Sequence, residues 1–168
     1  SKLYVEKGGY FLNNEMDDFS SKPGVPNMFG LVGGRANEIA PEKRMLSAMT
    51  PTLIEKDGQL TMIVGTPGGS TIITSVFQTI LNVYDFKMSI QKAVDAPRFH
   101  HQWLPDQVIL EPEKFNVQII KKLQQKGHNI IEKEARIIGR VDAIHIDSDG
   151  KISTGADARG DDRAAVLK

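Results

Sequence analysis

The sequence predicts an α+β fold, and three observations carry that reading. Two apolar pairs of segments flank Asp57-Gly58 and Asp147-Ser148-Asp149-Gly150, and Asp-Gly between such segments is a strong hairpin signal. The amphipathic segments follow hairpins instead of alternating singly with strands, which argues for α+β layers over a doubly wound parallel sheet. Finally, the glycines at Gly68-Gly69 are followed by Ser70-Thr71 and not by Gly-Lys-Ser/Thr, and no Rossmann glycine fingerprint occurs elsewhere.

The elements follow in order. Lys7-Gly8-Gly9 reads as a turn before a short strand, Tyr10-Phe11-Leu12, which stops at the amides and carboxylates of Asn13 to Asp18. From Ser20 to about Lys43 the chain is rich in Pro, Gly and Asn, so little regular structure is expected. A loop of that length in a compact domain is usually functional or disordered. Thr52-Leu53-Ile54 and Gln59 to Val64 form the first hairpin. A strand-to-helix turn follows at Thr66-Pro67-Gly68-Gly69-Ser70, with Ser70 as candidate cap of a helix reaching about Tyr84 through Ile72, Ile73, Val76, Phe77, Ile80 and Leu81. A shorter helix spans Ile90 to Asp95, between Ser89 as cap and Pro97 as stop. Val108-Ile109-Leu110 reads as a strand. Pro112 sits near the start of a helix with Phe115, Ile119, Ile120 and Leu123 on one face and Gly127 at its C′ position. The second hairpin pairs Ala143 to Ile146 with Lys151 to Ser153, and the tail from Gly155 to Arg163 reads as polar and irregular.

Composition narrows the function classes. The length suits a single domain over residues 1–168, and a 40% apolar content is enough for an ordinary core. With 21 basic and 21 acidic residues and no long single-sign run, nucleic acid and anionic membrane are not expected partners. Apolar runs of only a few residues exclude a spanning helix. The opening Ser1-Lys2-Leu3-Tyr4 carries neither a leader nor an initiator Met, so a processed or trimmed chain is expected. Zero cysteines exclude disulfides and thiol catalysis and leave the compartment open.

Candidate chemistry lies in four places. Adjacent glycines at Gly68-Gly69 let the backbone approach a ligand, so the turn is either a plain tight turn or one whose N–H groups face an anion or oxyanion. Glu15, Asp17 and Asp18 suit an ammonium, a cation, acid–base work or a solvated turn. In an extended segment Glu15 and Asp17 share a side; if the chain turns near Met16, Glu15 and Asp18 converge instead. His100-His101 make a poor metal pair because adjacent side chains point apart, so packing or hydrogen bonding is expected. Ser47 lacks a Gly-x-Ser-x-Gly elbow and reads as a backbone cap. Residue chemistry alone names no nucleophile and no reaction.

Five ordered segments go further. Leu12 to Ser20, Lys22 to Asn27, Lys43 to Pro51, Pro67 to Ser70 and Ala96 to Trp103 together resemble the γ-glutamyltranspeptidases (glutathione hydrolases), from about Gly9 to Asp162. The match is to the small, C-terminal subunit. The resemblance implies a four-layer αββα sandwich of the N-terminal-nucleophile hydrolase type, incomplete in this chain. It implies a precursor that cleaves itself into large and small subunits, with the new N-terminal Thr as nucleophile toward glutathione and related γ-glutamyl compounds. The acyl-enzyme then passes the γ-glutamyl group to water or to an amino acid or peptide acceptor. No cofactor is implied.

Carried over by position, Gly68 and Gly69 match the oxyanion-hole glycines, Glu15 and Asp18 the residues that hold the substrate α-ammonium, and Ser47 the first of two serines on the α-carboxylate. The second serine is Ala48 here, which removes a hydroxyl donor. The nucleophilic Thr matches no position of this chain, so the chain by itself is expected to be inactive and to work with the large subunit. A sandwich lacking its first strands is also expected to self-associate. Family members are typically periplasmic, secreted or surface-associated. The alternative is a degenerate relative that acts as a binding or structural module, with Ala48 as its first sign of decay.

Overall fold

The computed structural model describes residues 3–132 and 138–167. The chain divides into two compact units, Ser1–Ala48 and Met49–Lys168.

In the first unit, β1 (Tyr4–Val5) pairs antiparallel with β2 (Tyr10–Phe11). The turn between them closes on the Val5 carbonyl, which accepts from the N–H groups of Gly8 and Gly9 at 3.0 and 2.9 Å. Gly9 has φ 68°, a conformation open to glycine at little cost. A 3-10 turn follows over Glu15–Asp18 and a second over Arg35–Asn37. Between them, as its Pro/Gly/Asn content predicts, the chain has only the isolated bridges Ser20↔Glu38 and Pro26↔Val32. Asn27 shapes this stretch: its Oδ1 accepts from the N–H groups of Phe29 and Leu31 at 2.9 and 3.0 Å. Among the described residues of this unit only Phe19 and Ser20 are buried.

The second unit is built on an antiparallel sheet in the order β3-β4-β8-β9: β3 (Thr52–Lys56), β4 (Gln59–Gly65), β8 (Asp142–Ile146) and β9 (Ile152–Gly155). The β3–β4 turn puts Asp57 at φ 54° and Gly58 at φ 75°, the left-handed pair that a two-residue type I′ hairpin requires. Helices α1 (Thr71–Tyr84) and α2 (Ile90–Asp95) close a core of Met62, Val64, Val76, Val83, Ile90, Ala93, Val94, Val141 and Ala143. A smaller sheet runs β5-β6-β7, with β5 (Phe99–His100), β6 (Val108–Leu110) and β7 (Ile130–Ile131). Helix α3 (Val117–Gln125) connects β6 to β7, which pair in parallel, a crossover that the hairpin pattern did not predict.

Three local expectations are corrected. The buried stripe of α1 is Ile72, Ser75, Val76, Thr79 and Val83, while Ile73 and Phe77 are 66% and 57% exposed. Ser75 and Thr79 can enter the interior because each hydroxyl is satisfied, by the Ile138 carbonyl at 3.3 Å and the Ser75 carbonyl at 2.9 Å. Ser70 stands at the N-cap of α1 in helical conformation and makes no side-chain cap bond; Thr71 Oγ1 instead donates to the Gly68 carbonyl at 2.9 Å. In α3, Ile119 is exposed while Ile120 is buried, and the helix starts at Val117 because Asn116 caps it, Oδ1 accepting from Gln118 N–H at 2.7 Å. Gly127 ends it as expected. The Gly127 N–H reaches the Gln124 carbonyl and the His128 N–H the Leu123 carbonyl, the paired bonds of a Schellman motif.

Candidate functional site

The glycine turn leaves β4 and enters α1 with Gly68 at φ 148° and Gly69 at φ 57°. Gly68 is required by space as well: a Cβ there would lie 2.5 Å from Thr71 Oγ1 and 3.3 Å from Gly139 Cα. Both carbonyls are tied into the first turn of α1. Gly68 O accepts from Thr71 N–H at 3.1 Å and Gly69 O from Ile72 N–H at 3.2 Å. The N–H groups of Gly68 and Gly69 have no hydrogen-bond partner among the described residues. Beside them Thr66 Oγ1 accepts from Arg140 N–H at 2.7 Å, which ties the turn to the start of β8. The arrangement is a hydrogen-bonded loop with two donors left over, suited to an oxygen that gains negative charge.

In the first unit the acidic segment turns at Met16. The 3-10 geometry over Glu15–Asp18 eclipses positions three apart, so Glu15 and Asp18 share a face and Asp17 lies off it. Of the two arrangements open at the level of sequence, this is the converging one. Glu15 is exposed and Asp18 half-buried, and neither carboxylate has an ion-pair partner among the described residues. Ser47 is exposed and follows Leu46. Asn37 joins the two places: its Nδ2 donates to the Asp18 carbonyl at 2.7 Å, and its Oδ1 accepts from Leu46 N–H at 3.0 Å.

The second unit also holds a buried charge network that the sequence did not reveal. Arg98 and Asp157 are each 1% exposed and pair at 2.7 Å. Arg159 bonds Asp157 Oδ1 at 3.0 Å and Glu111 Oε2 at 2.7 Å, with a further bond from its Nε to Glu111 Oε1. Burial alone would raise the Asp157 carboxyl. The N–H groups of Val141 and Arg159 and the guanidiniums of Arg98 and Arg159 outweigh that and hold it below the ordinary Asp value. Arg98 is lowered, first by its own desolvation and then by the nearby Arg159 charge. Arg159 is raised: its desolvation, which opposes this, is exceeded by bonds to Glu111 and Asp157.

The adjacent histidines diverge, as their alternation predicts. His100 is 2% exposed, with Nδ1 at 2.8 Å from Thr74 Oγ1 and Nε2 at 2.9 Å from Gln102 Oε1. Gln102 is held in turn by its Nε2, which donates to the Leu104 carbonyl at 3.1 Å. His101 Nε2 meets Asp106 Oδ1 at 3.0 Å near the surface.

The γ-glutamyltranspeptidase family model matches residues 1–167. The glutathione hydrolase proenzyme of Escherichia coli is 47% identical over 160 residues, 95% of this chain and 27% of that protein. The one from Pseudomonas aeruginosa is 43% identical over all of this chain and 30% of its own length. The chain thus spans less than a third of the length of these two relatives. Among solved structures, a Helicobacter pylori γ-glutamyltranspeptidase mutant aligns at TM-score 0.88 and 45% identity, covering 95% of this chain and 87% of the other. The Pseudomonas nitroreducens γ-glutamyltranspeptidase complexed with L-DON aligns at TM-score 0.89 and 42% identity, covering 100% and 87%. The α+β fold is accordingly that of the N-terminal-nucleophile hydrolases, and the chain belongs to the γ-glutamyltranspeptidase family.

Proposed function

We propose that this chain is part of a glutathione hydrolase, an enzyme that cleaves the γ-glutamyl amide bond of glutathione and related compounds. The γ-glutamyl group passes through an acyl-enzyme to water or to an amino acid or peptide acceptor. The observation that carries the reading is the Gly68-Gly69 turn, with both carbonyls engaged and both N–H groups unpartnered among the described residues.

In this reading the nucleophile is a threonine at the N-terminus of the mature subunit, and the large subunit of the same precursor completes the enzyme. The Thr hydroxyl attacks the γ-carbonyl carbon, its proton passing to the terminal amine. The carbonyl oxygen takes up negative charge and receives the N–H groups of Gly68 and Gly69. Collapse expels the amine with a proton and leaves a γ-glutamyl ester, which water or an acceptor amine then resolves. Glu15 and Asp18 pair with the substrate α-ammonium, and the Ser47 hydroxyl donates to its α-carboxylate. With Ala48 in the second serine position, one donor to that carboxylate is missing, a loss of about 1.5–3 kcal/mol unless replaced. A periplasmic, secreted or surface location belongs to the same proposal.

The test is hydrolysis of γ-glutamyl-p-nitroanilide by the full-length processed protein, with Gly68→Ala beside it. The added methyl meets Thr71 Oγ1 at 2.5 Å and tilts the donors away. The expected result is a kcat lower by about 10²–10³-fold, the size seen when an oxyanion donor is lost, with donor KM little changed. An unchanged kcat would remove the oxyanion role.

A further inference from the structure

We infer that Asn37 is the positioning residue that fixes the separation between Asp18 and Ser47, and so selects a substrate head group with an ammonium and a carboxylate on one carbon. The inference rests on the assignment of Asp18 and Ser47 to that head group. It adds what holds the two of them in place.

Packing does not set that spacing, since only Phe19 and Ser20 are buried among the described residues of this unit, and no strand joins the two segments. The half-buried carboxamide of Asn37 does, with one end on the Asp18 carbonyl and the other on Leu46 N–H, next to Ser47. Its backbone is held in turn. Asn37 N–H donates to the Gly34 carbonyl at 3.1 Å, and its carbonyl accepts from Ser20 N–H at 2.8 Å. Both partners of the side chain are backbone groups, so the bond to Asp18 orients the turn and leaves the carboxylate available. Only a carboxamide of this length offers a donor and an acceptor on one planar group at that reach. Asp keeps the acceptor and loses the donor, Gln is one methylene too long, and Leu keeps only the shape.

A clamp of this kind matters for a ligand that must touch both of its ends. Competitive inhibition of the processed enzyme by three small molecules separates the cases: L-glutamate, which has both α-groups; glutarate, which lacks the ammonium; and 4-aminobutyrate, which lacks the α-carboxylate. Asn37→Ala should raise the L-glutamate inhibition constant and the donor KM about tenfold, as expected for the loss of two modest hydrogen bonds. The nearly isosteric Asn37→Asp, which loses only the bond to the Asp18 carbonyl, should raise both about fivefold. Inhibition by the two single-headed compounds should change less than about twofold, with kcat per active site retained. Equal changes for all three ligands, or none for L-glutamate, would overturn the clamp. Asp18→Ala is measured alongside. If it leaves the donor KM unchanged, the head-group assignment itself fails; if it raises KM while both Asn37 variants do not, only the role of Asn37 fails. Should Asn37→Ala not mature, Asn37→Asp carries the same comparison.

Discussion

Between Ser1–Ala48 and Met49–Lys168 the balance of forces differs. The first unit buries Phe19 and Ser20 alone among its described residues and takes its shape from asparagine side chains: Asn27 across one turn, Asn37 between two segments. The second unit buries Met62, Val94 and Val141 to 2% exposure or less, together with the charged Arg98 and Asp157. Polar links give direction at little gain in free energy, whereas apolar burial gives stability without direction. The groups proposed to read the substrate head group stand in the first unit, and the glycine turn stands on a strand and helix of the second. Away from the glycine turn, substitutions should therefore show in binding in the first unit and in unfolding in the second.

The largest expected effect is in the second unit. Asp157→Ala strands the buried Arg98 guanidinium, and removing one member of a buried pair costs about 3–5 kcal/mol, to be read in the urea midpoint of the processed protein. The same carboxylate gives a pH signature. Its native pKa is depressed, so its contribution is complete above the ordinary Asp value of about 3.9 and is lost as pH falls through the lower native value. Acid should lower the midpoint of the unsubstituted protein, and the slope over that range should flatten in Asp157→Asn. A slope that stays the same would show that other carboxylates dominate. Next comes Met62→Ala, at 0% exposure on β4, expected to cost about 2–5 kcal/mol by thermal unfolding. A cost below that range would mean that the core collapses onto the vacated space.

The smallest effect sharpens the contrast from the other side. Ala48→Ser, in the first unit, adds a hydroxyl at the position proposed to match the second carboxylate-binding serine. It should tighten L-glutamate inhibition by about tenfold or more, equivalent to about 1.5–3 kcal/mol for a hydrogen bond to a charged group, with the unfolding midpoint unmoved. If the midpoint moves and the inhibition constant does not, position 48 is a packing site in this protein.

What was legible in the sequence was local. Asp57-Gly58 fixed its hairpin and Pro97 stopped α2, because turn chemistry and the loss of an N–H act within a few residues. The buried stripe of α1 was misread because Ser75 and Thr79 look polar until their acceptors, the Ile138 and Ser75 carbonyls, are known. The Arg98, Glu111, Asp157 and Arg159 cluster left no local trace. Its members are far apart in sequence, and Asp157 and Arg159 sit in a tail whose composition reads as loop. Of the candidate site, Glu15 and Asp18 were legible as carboxylates, but their convergence depends on a 3-10 turn at Met16 that alternation does not foresee. Asn37 leaves no signal in the sequence for a related reason, since one amide joining Asp18 to Leu46 has no spacing rule of its own.

The pairing of Arg98 with Asp157 has a consequence for the order in which the protein is made. Synthesis delivers residues one after another at about 5–20 per second, so Arg98 leaves the ribosome well before the carboxylate that neutralises it. Until Asp157 emerges, closing the core over Arg98 would bury an unpaired guanidinium, at a cost of several kcal/mol. Full closure of the core over Arg98 is therefore expected only once the residues just past β9 have been made.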